Sequence, residues 1–541
     1  MLQEVMHKLR KEKIKFLQFE FWCLVVGGRW SEKDCRTETS ADHHLPTTKH
    51  QFFQVCLTLL LFSLVGGGCT ILKSGKPNLP RIYNASDLPR PTGKRPVIVI
   101  PGTLGSRLVN QKTSEVAWPR FVISENAVLA LPITSANFAE NRDDLIATEI
   151  IDRAKFFRLS PEIGFYDSLL TTLEQAGGYK HGKWEEPAPD GDRDTFYVFA
   201  YDWRRDIVEN AQNLTSKITA LKQKLKQPNL QFDVVAHSMG GLIARYAAMY
   251  GEQDLSEKPV NPNWIGAQHF TRLILFGTPN SGSMDAMSTV VNGYSALGTN
   301  YPQLKLIDAL DRDAIFTSPA IYQMMPQPGY AKFFDENLQP LKLDLFELET
   351  WRKHGWSIAF EAGFKERELK RFQKIRHGMM KQKDAATETK LGELEEQMQK
   401  MLAAREPFLS LALRRAKAFH QAINTVSKIP DSMQIHLFGG DCERTLEGAI
   451  VTPQQTWFRI SRGLGKREFR DRADALIYAP GDGRVTRRSL FGLRFDEVSS
   501  TWMSPLNQPE RAVFQCEVHG DLPLNATMQD NLLTLLLGGK Y

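Results

Sequence analysis

Residues 231–248 read QFDVVAHSMGGLIARYAA, and this stretch constrains the fold more than any other. An apolar, β-branched run (FDVVA) leads straight into Ala236-His237-Ser238-Met239-Gly240, and the chain leaves through Gly241 into a helical stretch. A strand that turns this sharply into a helix tolerates no bulk two residues before or two residues after the turn. Ala236 and Gly240 meet that demand, which makes Ser238 the apex of a nucleophile elbow. The turn lifts the Ser238 hydroxyl above the strand ends. It also aims the Met239 N–H, at a helix N-terminus, toward a carbonyl under attack. An ordinary serine N-cap is the alternative, but strand, turn and helix together favour the elbow. Gly293-Tyr294-Ser295-Ala296 begins in the same way, yet it continues with Leu297 and has no strand before it.

An elbow needs a sheet to stand on, and the chain supplies one. Short apolar runs recur as VIVI (97–100), FYVFA (196–200), FDVVA (232–236), RLILF (272–276), QIHLF (434–438) and AVFQC (512–516). Near-continuous apolar strands suit a parallel sheet covered on both faces. Stretches such as Leu214–Lys226 and Gly241–Tyr250 are long enough to be crossover helices. The prediction is an α/β fold with a mostly parallel sheet, its core in two parts, 95–339 and 429–541. Residues 340–428 break the rhythm, being helical and heavily charged, as in ETKLGELEEQMQKMLAARE. Leu391, Leu394, Met398 and Met401-Leu402 share one helical face there. The segment is predicted to be an inserted helical cap or lid, with a solvated outgrowth as the plain alternative.

The elbow then restricts its partners. The first strand ends in Pro101-Gly102-Thr103-Leu104-Gly105-Ser106, where the two glycines free the backbone to turn an N–H, that of Leu104, toward the reacting oxygen. With Met239, Leu104 would form the oxyanion hole. In chains built on this elbow the acid follows the serine and the histidine comes last. The histidines after Ser238 are 269, 354, 377, 420, 436 and 519, and only His519 follows the last strand. The acid then falls between QIHLF and His519. Asp482, in a tight Gly481-Asp482-Gly483 turn after an apolar run, is favoured, with Asp441 as runner-up. Asp471 and Asp474 lie in a charged helical stretch and read as solvated.

Composition narrows the chemistry. Of 541 residues 42% are hydrophobic and 24% charged, which suits a globular core. A net charge of +6 from 68 basic and 62 acidic residues is too balanced to point to nucleic acid. The six cysteines have no C-x-x-C spacing, and H-E-x-x-H, P-loop and dinucleotide fingerprints are missing from the sequence. No metal site and no cofactor is expected.

The N-terminal region carries a different signal. Residues 52–65, FFQVCLTLLLFSLV, are followed by Gly66-Gly67-Gly68-Cys69. Fourteen residues are short for a membrane span but suit a signal-peptide core. The run resembles a bacterial lipoprotein signal, which implies cleavage before Cys69, lipidation of that cysteine, and export to the periplasm or outer membrane, with attachment to a membrane surface through the lipid; a plain signal or anchor and a buried apolar segment are the alternatives. Residues 69–94, rich in proline, read as a tether. A true start near Leu45 is expected, because a secretory signal should open the chain. N-terminal sequencing and intact mass of the mature protein should give a lipidated chain beginning at Cys69, whereas one beginning at Met1 refutes the reading.

Four motifs together carry a wider resemblance. Pro101-Gly102-Thr103-Leu104-Gly105-Ser106, Tyr201-Asp202-Trp203-Arg204, Ala236-His237-Ser238-Met239-Gly240-Gly241 and Phe276-Gly277-Thr278-Pro279 occur in this order. With Gly481-Asp482-Gly483, His519-Gly520 and Glu349-Thr350-Trp351…Gly355-Trp356, they resemble the lecithin:cholesterol acyltransferase family over roughly residues 95–540. The resemblance implies an α/β-hydrolase fold, an acyl-enzyme mechanism, and a phospholipid or other lipid ester as acyl donor, with a lipid alcohol or water as acceptor. It assigns Ser238, Asp482 and His519 as the triad and Leu104 and Met239 as oxyanion donors. The reading from another class is a tethered lipid-binding protein with an idle triad, which a fluorophosphonate probe would leave unlabelled. Cys442 and Cys516 follow two strands that should be neighbours in this fold, so a bridge between them is also expected.

Overall fold

The computed structural model describes residues 93–538, except 120–128, 134, 136, 155–162, 165, 257–260, 294–309, 311, parts of 362–384, 497–500 and 507–508. The apolar run at 52–65, Cys69 and the tether up to residue 92 lie outside the described residues. Among the described residues no helix is long and apolar enough to cross a membrane.

Seven strands form the central sheet: β1 (Val97–Ile100), β2 (Lys180–His181), β3 (Thr195–Val198), β4 (Phe232–His237), β5 (Phe270–Phe276), β6 (Gln434–Gly440) and β7 (Arg511–Gln515). Their order across the sheet is β7-β6-β5-β4-β1-β3-β2, and every neighbouring pair is parallel. The six apolar runs all appear as strands. The seventh, β2, has only two residues, too few to leave a periodic pattern. The order reverses around β1, with β2 and β3 on one side and β4 to β7 on the other. That reversal is a topological switch point, where parallel sheets open a crevice at their C-terminal ends. The loop after β1 and the elbow after β4 meet there, because Ile100 pairs with Ala236 in register.

Alternation along the strands sorts side chains onto two faces. Ile98, Ile100, Val234, Ala236, Leu273 and Leu275 pack on one side with helices α1 (Ile207–Lys224) and α2 (Met239–Tyr250). Val97, Val99, Val235, Ile274, Phe276 and Phe438 pack on the other, under the C-terminal Ala526–Leu537 helix through Met528, Leu532 and Leu535. Helix α1 starts because the Asp206 carboxylate accepts the Val208 N–H at 2.7 Å, and its last turn carries Lys222 and Lys224. All twelve residues of α2 are buried, which suits a helix that carries a single charged residue, Arg245. This is the α/β-hydrolase architecture.

The long helix α3 (Ala385–Ile423) divides in two along its length. In the first half Leu391 and Met398 are buried and Leu394 and Leu402 half-buried, as the stripe predicts, while the Met401 side chain lies outside the described residues. In the second half Phe408, Leu409, Ala412, Leu413, Ala416, Phe419 and Ile423 follow helical spacing into the main core. Arg245, buried in α2, donates to the Ile423 carbonyl at 2.7 Å and to Asn280 at 2.9 Å, which pins the end of α3. The predicted boundary at 428 is therefore not a packing boundary, since the last four turns of the charged segment are core. Trp351 and Trp356 are also fully buried, with indoles donating to the Leu345 carbonyl and the Thr456 hydroxyl.

Candidate active site

Ser238 stands at the end of β4 with φ 53° and ψ −123°, a conformation that costs a non-glycine residue roughly 1–3 kcal/mol. The elbow holds it there. Its N–H donates to the Phe276 carbonyl at 2.7 Å, and its carbonyl accepts the Gly241 N–H at 3.0 Å. A Cβ on Gly240 would lie 2.5 Å from the Pro101 carbonyl, so only glycine lets α2 start this close to β1.

The Ser238 hydroxyl lies 2.9 Å from His519 Nε2, and His519 Nδ1 lies 2.8 Å from Asp482 Oδ2. The second Asp482 oxygen accepts the N–H groups of Arg484 at 3.0 Å and Val485 at 2.7 Å, which fixes the carboxylate plane. The loops are joined directly as well, the His519 N–H donating to the Asp482 carbonyl at 2.8 Å. Asp482 keeps 2% of its surface, and Ser238 and His519 keep 8% each, so the acid is innermost and the hydroxyl and imidazole are the accessible end. The imidazole is met by the Asp482 carboxylate and not by that of Asp441, the runner-up. On the Arg467–Ile477 helix Asp471 is exposed, whereas Asp474 is half-buried and paired with Arg444.

The supports come from distant parts of the chain. Gly277, at φ +53°, passes beneath the Asp482–His519 pair, and a Cβ there would lie 3.0 Å from both the carboxylate and the imidazole. Cys442 and Cys516 form a disulfide that joins the chain just past β6 and β7. Cys442 directly precedes Glu443–Leu446, which pairs with Tyr478–Gly481 and so delivers Asp482. Cys516 lies three residues before His519. The cross-link therefore ties the loop bearing the acid to the loop bearing the imidazole.

The loop after β1 faces Ser238. A Cβ on Gly102 would lie 2.9 Å from Ser238 Cβ. Leu104 adopts φ 65°, which turns its peptide units against the usual preference of a branched side chain. Both ends of the loop are held. The Tyr201 hydroxyl donates to the Pro101 carbonyl at 2.8 Å, and the Trp118 indole donates to the Leu104 carbonyl at 2.8 Å. Trp118 packs edge-on against Trp203, with centroids 5.8 Å apart. The Tyr201-Asp202-Trp203-Arg204 motif thus braces the loop. Met239 is the first residue of α2, whose leading N–H groups have no acceptor within the helix.

Two buried residues at this site were not singled out from sequence. Tyr166 accepts the Gly102 N–H at 2.8 Å and lies 2.7 Å from His237 Nδ1, while His237 Nε2 lies 3.0 Å from the His519 carbonyl. His237 sits inside the elbow motif and had that signal alone; Tyr166 had none. Among the described residues no group of three or more His, Cys, Asp or Glu side chains could hold a metal ion.

Residues 191–530 match the family model of lecithin:cholesterol acyltransferase. A lysosomal phospholipase A and acyltransferase from Bos taurus is 23% identical over 340 residues, which cover 56% of this chain and 74% of that protein. Among solved structures, a chain from the crystal structure of the Tle4-Tli4 complex aligns over 83% of this chain and 100% of its own, with 13% identity and a TM-score of 0.41. The mature lipase BlEst2 of Bacillus licheniformis aligns over 83% and 94%, with 11% identity and a TM-score of 0.28. The family match spans more than half of the sequence and includes the elbow, Asp482 and His519, and the chain belongs to the lecithin:cholesterol acyltransferase family.

Proposed function

We propose that this chain is a serine-dependent acyltransferase that moves a fatty acyl group from a phospholipid to a lipid alcohol. The observation that carries the reading is the unbroken pair of hydrogen bonds from the Ser238 hydroxyl through His519 to Asp482, with the serine on a strained elbow. Family membership and the bovine relative support lipid-ester acyl transfer or hydrolysis as the class of reaction.

In the first half-reaction Ser238 Oγ attacks the ester carbonyl carbon while its proton passes to His519 Nε2. The imidazole already donates from Nδ1 to Asp482, so its cation forms against a carboxylate that holds the tautomer without taking the proton. The Leu104 and Met239 N–H groups receive the developing oxyanion, each such donor being worth about 3 kcal/mol. The tetrahedral species collapses, the bond to the leaving alkoxide breaks, and His519 returns the proton to that oxygen. A lysophospholipid departs and an acyl-Ser238 ester remains. An incoming alcohol then repeats the sequence in reverse and carries the acyl group away.

Water in place of the alcohol makes the same intermediate a phospholipase, and this is the second reading. Seating of the acceptor and exclusion of water decide between them. Acyl-labelled phosphatidylcholine vesicles, with and without a long-chain alcohol in the bilayer, separate the two. The alcohol ester should appear at the expense of free fatty acid. Free acid alone, unchanged by the alcohol, would replace transfer with hydrolysis. A fluorophosphonate probe should label Ser238 in the folded chain; an unlabelled serine would remove both readings.

A further inference from the structure

The Tyr166–His237 pair lies outside the proposed reaction, yet it touches both sides of the machinery. Its hydrogen bonds have forced directions. A backbone N–H can only donate, so Gly102 donates to the Tyr166 oxygen. A backbone carbonyl can only accept, so His237 carries its proton on Nε2 and donates to the His519 carbonyl. His237 Nδ1 is then bare and accepts the Tyr166 hydroxyl proton. The result is a single directed chain: Gly102 N–H to Tyr166, Tyr166 to His237, His237 to the His519 backbone.

Both residues are suited to remain neutral. Burial pushes the Tyr166 phenol up, and burial followed by the neighbouring His519 pushes the His237 imidazole far down. Neutrality matters at this spot. The His237 and His519 rings are 4.8 Å apart, and a charge on the first would oppose the cation forming on the second. Neither group is a stray core polar residue, since every polar ring atom has a partner.

We infer that Tyr166 and His237 are positioning residues that lock the oxyanion loop to the backbone of the general base, so that the two move as one unit relative to Ser238. Gly102 is two residues before Leu104, and His519 is itself the anchored residue. A displacement of one side is therefore transmitted to the other through three buried hydrogen bonds. The elbow motif supplies the middle of the chain because the residue before the nucleophile necessarily lies between the two loops. This inference rests on the triad assignment and deepens it.

The test uses the full chain and a short soluble ester, p-nitrophenyl butyrate, with four variants. Tyr166→Phe removes only the hydroxyl and should lower kcat by about 10- to 100-fold, the effect of a misplacement near 1 Å, with KM changed less than twofold. His237→Gln keeps a donor near Nε2 and should retain at least about tenfold more kcat than His237→Leu, which keeps none. Thermal unfolding of each variant is measured alongside. A Tyr166→Phe chain with kcat within twofold of the parent overturns the inference. So does equal loss in His237→Gln and His237→Leu, and so does a loss that merely follows the drop in Tm. Ser238→Ala separates the two levels. If it keeps activity, the triad reading fails; if it is inactive while Tyr166→Phe is normal, only the positioning role fails.

Discussion

Ser238→Ala should lose turnover by a factor on the order of 10⁶, while Asp482→Asn should lose on the order of 10⁴, with the fold of both intact. The ratio follows from what each atom does. Without the Ser238 hydroxyl no acyl-enzyme forms, and only the residual activity of the oxyanion donors toward direct attack by water remains. Asn at 482 keeps the shape and can still accept the Arg484 and Val485 N–H groups through its carbonyl. Its amide would then face His519 Nδ1 as a donor. That forces the imidazole to place its proton on Nε2, facing Ser238, where it can no longer accept one. The measurement is kcat on a soluble ester, with active-site titration by a fluorophosphonate. Ser238→Ala should be unlabelled, and Asp482→Asn should be labelled slowly but completely. A Ser238→Ala chain at more than about one hundredth of the parent rate would remove the serine mechanism, since no triad member that forms the covalent bond can be dispensed with so cheaply.

These two effects concern the part of the site that is legible in the sequence. Ser238 was legible because a strained turn tolerates only small neighbours, and that demand is written locally as Ala236 and Gly240. His519 followed from order along the chain, because only one histidine lies beyond the last strand. Asp482 was harder. Asp441 is nearer a strand end and competes with it. The choice is decided by the Glu443–Leu446 and Tyr478–Gly481 pairing, which carries residue 482 back to the imidazole and is a long-range contact. Tyr166 marks the limit. It directly precedes the Asp167–Thr171 helix, and a place at a helix start does not announce that the side chain will reach Gly102 and His237. The second half of α3 shows a different limit. The charge of residues 365–406 dominated the reading of the whole insertion, although the apolar spacing from Phe408 to Ile423 was already that of a core helix.

Arg204→Met should destabilise the protein by roughly 3–5 kcal/mol, the cost of leaving buried carboxylates without their cation. Arg204 is fully buried, and its guanidinium uses all five donors. It grips Asp143 with a fork at 2.6 and 2.9 Å, Asp202 at 2.8 and 3.0 Å, and the Leu129 carbonyl at 3.0 Å. Asp202 keeps only 10% of its side-chain surface and Asp143 keeps 22%, so water compensates the second more than the first and the cost belongs toward the lower figure. Lys cannot substitute, because three donors on a point charge cannot reproduce the fork. Thermal and denaturant unfolding measure the loss, and the triple variant with Asp143→Asn and Asp202→Asn should recover part of it by removing the orphaned charges. A single variant within about 1 kcal/mol of the parent would show that the cluster is incidental. The consequence for activity follows from the neighbours on either side in the motif. Tyr201 holds the Pro101 carbonyl, and Trp203 packs on Trp118, which holds the Leu104 carbonyl. Arg204 keeps this segment in place, so its loss should lower kcat well below the unfolding temperature by loosening the loop that presents the Leu104 N–H. A motif four residues long, which braces the Pro101 and Leu104 carbonyls, would thereby set the geometry of the loop proposed to receive the oxyanion.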